Sequence, residues 1–185
     1  MKRVLTILLC CLMAFGLSGC GQSKVEDAKK DLKESHEKYG SVEKETVDVL
    51  VAKFNTEVGN SSLNAASTDY LTEENNQYWY GFLEGVSLVV VPKKYTGDKA
   101  TDIVDYMLIF VNKPSKYNDE ALTYAKKLIK VNYNKATDNE IDTLFKEAKD
   151  KSSSNKTAYN GKGISVGYLD KDDYYQYQVL RFYKS

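Results

Sequence analysis

Gln77 to Val91 reads QYWYGFLEGVSLVVV, and the fold class turns on this stretch. Aromatic and β-branched residues crowd both ends, the signature of residues that suit a pleated, half-buried surface. Glu84-Gly85 between them suits a two-residue hairpin turn, so Tyr78–Leu83 and Val86–Val91 are predicted to pair antiparallel. Pro92 lacks the N–H that a ladder needs and ends the second strand. After the polar run KKYTGDKAT, Asp102–Val111 (DIVDYMLIFV) is apolar on both faces and is predicted to be a central strand.

Working outward, the period changes to that of helices. Ser41 is the expected cap of a helix in which Val47, Leu50, Val51, Phe54 and Val58 recur at helical spacing. Asn118, followed by Asp119 and Glu120, is the expected cap of a second, with Ala121, Leu122, Ala125, Leu128 and Ile129 on one face. Thr137-Asp138-Asn139-Glu140 has the form of a capping box, and Ile141, Leu144, Phe145 and Ala148 follow it as the face of a third. The chain then returns to strands at Gly163–Leu169 and Asp173–Tyr183, joined by a polar turn. The order α-βββ-αα-ββ predicts an α+β domain, with an antiparallel sheet of about five strands and helices packed on one face. It also carries a hint of an internal repeat, helices followed by strands, between residues 25–111 and 118–183, without any residue-level similarity to support it.

The tyrosines hold the main functional signal. There are fifteen, and six of them, Tyr159, Tyr168, Tyr174, Tyr175, Tyr177 and Tyr183, fall at the end of the chain. Because a strand alternates its side chains, Tyr78 and Tyr80 point one way and Trp79 the other. Likewise Tyr175, Tyr177, Val179, Arg181 and Tyr183 share one face, opposite Tyr174, Gln176, Gln178, Leu180 and Phe182. With helices on one face only, one aromatic row is left toward solvent. Cross-strand aromatic pairing is the simpler reason for such rows; a tyrosine's rigid ring and hydroxyl also suit recognition. Tyr78, Tyr80, Tyr175, Tyr177, Arg181 and Tyr183 are taken as the candidate surface for a ligand or partner.

The N-terminus carries an address. Met1-Lys2-Arg3 precedes a charge-free run from Val4 to Gly16, the pattern of a secretory signal, and the run is short for the about 20 residues of a membrane span. An uncleaved anchor helix is the alternative reading. Leu17-Ser18-Gly19-Cys20 resembles the lipobox of bacterial lipoproteins. The resemblance covers this segment alone. It implies that Leu17, Ser18 and Gly19 are read by the processing enzymes and that the chain is cut before Cys20. It further implies that Cys20 carries a diacylglycerol holding the protein to the bacterial cell membrane on its extracytoplasmic side. Two buried acyl chains suffice for stable anchoring where one does not. Residues 1–19 are then signal peptide, 20–40 a lipidated, charged tether, and 41–185 a single α+β domain.

The inventory of the remainder narrows the chemistry. Without residues 1–19 the chain has 24 Lys and Arg against 26 Asp and Glu, since only Lys2 and Arg3 leave, and this near-neutrality argues against nucleic acid as partner. Cys10 and Cys11 leave with the signal, so the domain has no thiol once Cys20 is acylated. Its one histidine, His36, lies in the tether. Triads built on His or Cys, and zinc sites made of them, are therefore not expected. No metal or cofactor site is expected either. Among carboxylates, Asp102 and Asp105 are a poor pair for glycoside hydrolysis. Glu84 sits in a turn, and Asp170-Lys171-Asp172-Asp173 lacks the glycine and distal glutamate of a calcium loop. Gly161-Lys162-Gly163 reads as turn chemistry. The expectation is a lipid-anchored, non-enzymatic binding or interaction module with a protein or glycan partner in the envelope. The alternatives are a carboxylate-dependent wall hydrolase and an inhibitor-like or phage-exclusion lipoprotein.

Overall fold

The hairpin read from Gln77–Val91 forms, and the sheet grows from it. A computed structural model describes residues 40–59, 65–66, 72–74, 76–152, 157–159 and 161–183. The signal, lipobox, tether and His36 readings lie outside the described residues, which all belong to the unit Ser35–Ser185. The elements run α1 (Val47–Gly59), β1 (Thr72–Glu74), β2 (Gln77–Leu83), β3 (Val86–Pro92), β4 (Val104–Asn112), α2 (Asn118–Asn132), α3 (Asp138–Lys151), β5 (Ala158–Tyr159), β6 (Ile164–Asp170) and β7 (Tyr174–Arg181). The fold is α+β, with all five expected strands present and two short ones, β1 and β5, added at the edges. All pairings are antiparallel, in the order β1-β2-β3-β4-β7-β6-β5.

That order has a two-fold pattern. In each half, helix precedes a meander that runs from the sheet edge to its centre, ending in β4 for the first half and β7 for the second. The two final strands then pair over seven residues, from Tyr106↔Leu180 to Asn112↔Tyr174. The hint of repetition in the element order thus has a counterpart in the topology.

All three helices pack on one sheet face. The face of α1 is Val47, Leu50, Val51, Phe54 and Val58, as the spacing predicts. On α3 it is Ile141, Leu144, Phe145 and Ala148. On α2 Tyr124 joins Ala121, Ala125, Leu128 and Ile129, and its ring lies 4.3 Å from Phe82 and 6.3 Å from Phe54. These three rings fasten α1 and α2 to β2. Phe82 has the parity of Tyr78 and Tyr80 and so points to the same side, where the register of β2 against β3 shifts between Gly81 and Leu83.

Two expected caps are replaced. Thr137 does form the capping box with Glu140, but Ser41 lies six residues before α1. Asn118 is the first residue of α2, where Tyr117 precedes it without a side-chain cap. The Asn118 side chain instead donates to Ser115 O and accepts from Tyr175 Oη at 2.7 Å. A tertiary partner takes the group that local capping would have used.

The start of the fold is strapped to its end. Val42 N–H donates to Phe182 O at 2.7 Å, and Phe182 N–H to Gly163 O at 2.8 Å. Gly163 has φ +93°, and a Cβ there would stand 2.4 Å from Ser41 C. Only glycine satisfies both conditions. Gly163→Ala is therefore expected to lower stability in urea unfolding by at least about 2 kcal/mol. Gly59→Ala, with open space around it, should stay within about 0.5 kcal/mol.

Candidate functional site

The six residues taken as a candidate surface lie on the covered face. Tyr78, Tyr80, Tyr175, Tyr177, Arg181 and Tyr183 are each under 8% exposed, so they form the floor of the core. The alternation of the strands is as read, and the choice of face is corrected. The register explains it: Tyr78 and Tyr80 align with Val90 and Leu88, and these with Met107 and Ile109. Tyr175 and Tyr177 align in turn with Val111 and Ile109. This is the continuous apolar surface that three helices need.

The buried polar groups of Tyr78, Asp102, Arg181 and Tyr183 have structural partners there. Tyr78 Oη donates to Asp102 Oδ2 at 2.7 Å, and Thr96 N–H donates to the same oxygen at 2.9 Å. Asp102 thus ties the 93–101 loop to β2, and is separate from Asp105, which is half-buried beside Lys93. Burial pushes the Asp105 carboxyl above its usual range, against the charge of Lys93. Arg181 sits on Glu45 Oε2 at 2.7 Å and Glu43 O at 2.8 Å, and it donates to Asn132 Oδ1 and Tyr183 Oη. Phe145 meets the Tyr177 ring edge-on at 5.3 Å, and Tyr168 and Tyr175 lie against Tyr177 at 5.2 and 5.7 Å. Burial pushes Tyr177 well above the ordinary tyrosine value and Tyr183 up to about 12. These hydroxyls stay protonated at any physiological pH.

The other face carries the opposite row: Trp79, Val89, Tyr106, Leu108, Phe110, Tyr174, Gln176 and Gln178. Among the described residues no helix lies over it. Phe110 stacks on Tyr174 at 5.0 Å, and Trp79 meets Phe110 edge-on at 5.2 Å. Phe110 stands on β4 and Trp79 on β2, so their rings bridge across β3. Val89 and Leu108 are buried beneath the aromatics. The result is a shallow basin of about 190 Å³ lined by Gln77, Trp79, Val89, Tyr106, Leu108, Phe110, Tyr174 and Gln176. No Asp, Glu, Lys, Arg or His lines it. Trp79 Nε1 is enclosed without a hydrogen-bond acceptor among the described residues, a state that costs about 1–3 kcal/mol.

Sequence reasoning put Trp79 opposite Tyr78 and Tyr80, and Tyr174, Gln176, Gln178, Leu180 and Phe182 opposite Tyr175 and Tyr177, and took neither as the candidate surface. The signal that marks the second of these as outward is the pair of glutamines, which alternate with buried Tyr175, Tyr177 and Val179. Phe110 and Tyr106 were hidden in a strand that reads as apolar on both faces. Comparison with protein-family models, curated proteins and solved structures finds no match for this chain.

The Arg181 network makes an acid-dependent prediction. Burial alone pushes Glu45 up, but hydrogen bonds from Lys53 and Arg181, with their charges, hold it below its ordinary 4.5. Burial likewise pushes Asp102 up, and Thr96 and Tyr78 hold it below 3.8. A carboxylate with a lowered folded-state pKa contributes stability that is fully present above its unfolded value. That stability is lost as pH falls through the folded value, so unfolding free energy should decline on acidification below about pH 4.5. Glu45→Ala should cost about 3 kcal/mol at pH 7, because it leaves Arg181 buried without its anion. It should also flatten the acid decline, read by urea unfolding across a pH series; an unchanged decline would contradict this role for Glu45.

Proposed function

We propose that this chain is a lipid-anchored protein of the bacterial cell membrane, facing the extracytoplasmic side, that works as a non-enzymatic binding module. Its site is the open face of the sheet. The observation that supports this reading most is that, among the described residues, the helices cover one face only, while the other presents an aromatic, charge-free basin floored by buried Val89 and Leu108. Half-buried aromatics on a rigid sheet lose little conformational freedom on binding, and a central sheet position holds them in register. Cys20 supplies the membrane attachment, and the partner is a component of the envelope, protein or glycan.

Two experiments test the two halves of the proposal. Cys20→Ala should leave the precursor uncut and unlabelled by radiolabelled fatty acid in growing cells; normal labelling would contradict the anchor. For the site, the full-length protein is mixed with isolated cell-wall sacculi and sedimented. Gln176→Glu, which puts a charge in the basin, should reduce co-sedimentation at least tenfold, as expected for an uncompensated desolvated charge. Asn139→Glu, on the exposed side of α3, should leave it unchanged. Equal sedimentation of both variants with wild type would contradict the open face as the binding surface.

A further inference from the structure

Resting on that reading of the open face, the basin's lining also says what class of molecule it takes. We propose that it is a subsite for one ring of an uncharged oligosaccharide.

Charge is the first consideration. Charged residues make up 28% of the chain, yet none lines the basin. A charged ligand group seated there would lose its hydration with no counter-charge in the lining to replace it, which binding does not tolerate. A neutral ligand is selected.

Size is the second. At about 190 Å³ the basin is smaller than the roughly 300–1,000 Å³ clefts that enclose whole drug-sized ligands. It fits a single ring of something longer that runs on across the sheet.

The backbone separates a sugar from a peptide. Peptides dock on sheets largely through their main chain, at an exposed edge that has free N–H and C=O groups. The basin lies over β2, β3, β4 and β7, where the backbone is committed to the ladders Trp79↔Val89, Leu108↔Gln178 and Phe110↔Gln176. What the basin does offer is side-chain chemistry. The Phe110, Tyr174 and Trp79 rings supply apolar surfaces for the C–H face of a pyranose. The side-chain amides of Gln77 and Gln176 at the rim each carry both donors and an acceptor, as sugar hydroxyls do. No hydrogen bond of either amide is formed with the described residues, so both are available without breaking a contact of the fold.

The reporter is built in, because Trp79 is the single tryptophan of the chain and stands in the basin wall. Tetra-N-acetylchitotetraose and cellotetraose are titrated separately into the full-length, lipidated protein in detergent, and tryptophan emission is followed. A saturable change in the micromolar-to-millimolar range with at least one of them is expected. Tyr174→Ala should weaken it about tenfold, the loss of one ring contact, and Gln176→Glu should abolish it. Melting temperatures by circular dichroism verify that both variants are folded; if Tyr174→Ala is not, Gln176→Glu decides alone. Binding of equal strength by Gln176→Glu would overturn the assignment to this basin. Silence toward both sugars, with sacculus binding still abolished by Gln176→Glu, would overturn the saccharide class and leave the open face as a binding surface for something else. Silence toward both sugars and loss of all sacculus dependence on Gln176 would overturn the two together.

Discussion

Between Tyr106 and Asn112 the fourth strand runs antiparallel to the seventh, each residue facing one about 60 to 75 positions later in the chain. This seam joins two meanders that otherwise have separate edges, and it sets the parity of the whole sheet. With Met107 against Val179 and Ile109 against Tyr177, every inward side chain of one half meets an inward side chain of the other. A slip of one residue would turn Gln176 and Gln178 into the core and Tyr175 and Tyr177 out of it. The helices could not then seal on either face. Register at the seam is therefore the condition for both the core and the open basin.

Arg181 and Asp102, trapped by that choice of face, are satisfied locally. Arg181 ends β7 on the inward side, and its guanidinium is held by Glu45, Glu43 O, Asn132 and Tyr183. Those partners come from the segment before α1, from the last turn of α2 and from the C-terminal strand, so the ion pair also closes the fold end to end. Asp102 does the same at one edge, joining the loop at Thr96 to Tyr78. Removing one partner of such a network leaves a buried charge alone, which is why these residues matter to stability out of proportion to their number.

Much of this was legible from the residues. Periodicity located the three helices and five strands, since Val47, Leu50, Val51, Phe54 and Val58 cannot serve a strand and the run from Tyr78 to Val91 cannot serve a helix. Alternation also sorted the tyrosines into two rows. Which row faces the helices was not decidable from one strand, because Tyr175-x-Tyr177-x-Val179-x-Arg181 mixes apolar rings with a charge. Only the register across β3 and β4 shows that this row continues an apolar surface. The two edge strands were missed for a different reason: Thr72–Glu74 and Ala158–Tyr159 are too short to carry a period. Asn118 misled because a tertiary hydrogen bond to Tyr175 outcompeted a local cap.

A sheet with one sealed and one open face divides the aromatic content by role, the tyrosine row holding the helices and the Trp79–Phe110–Tyr174 row facing out. The chain's cysteines, at positions 10, 11 and 20 only, make that division directly measurable. Single cysteines placed at Gln178 and at neighbouring Val179 differ only in the face they occupy. In the native protein a maleimide should react rapidly at position 178, while position 179 should react only once denaturant opens the core. Comparable native reactivity at both positions, or protection of 178 with exposure of 179, would contradict the account.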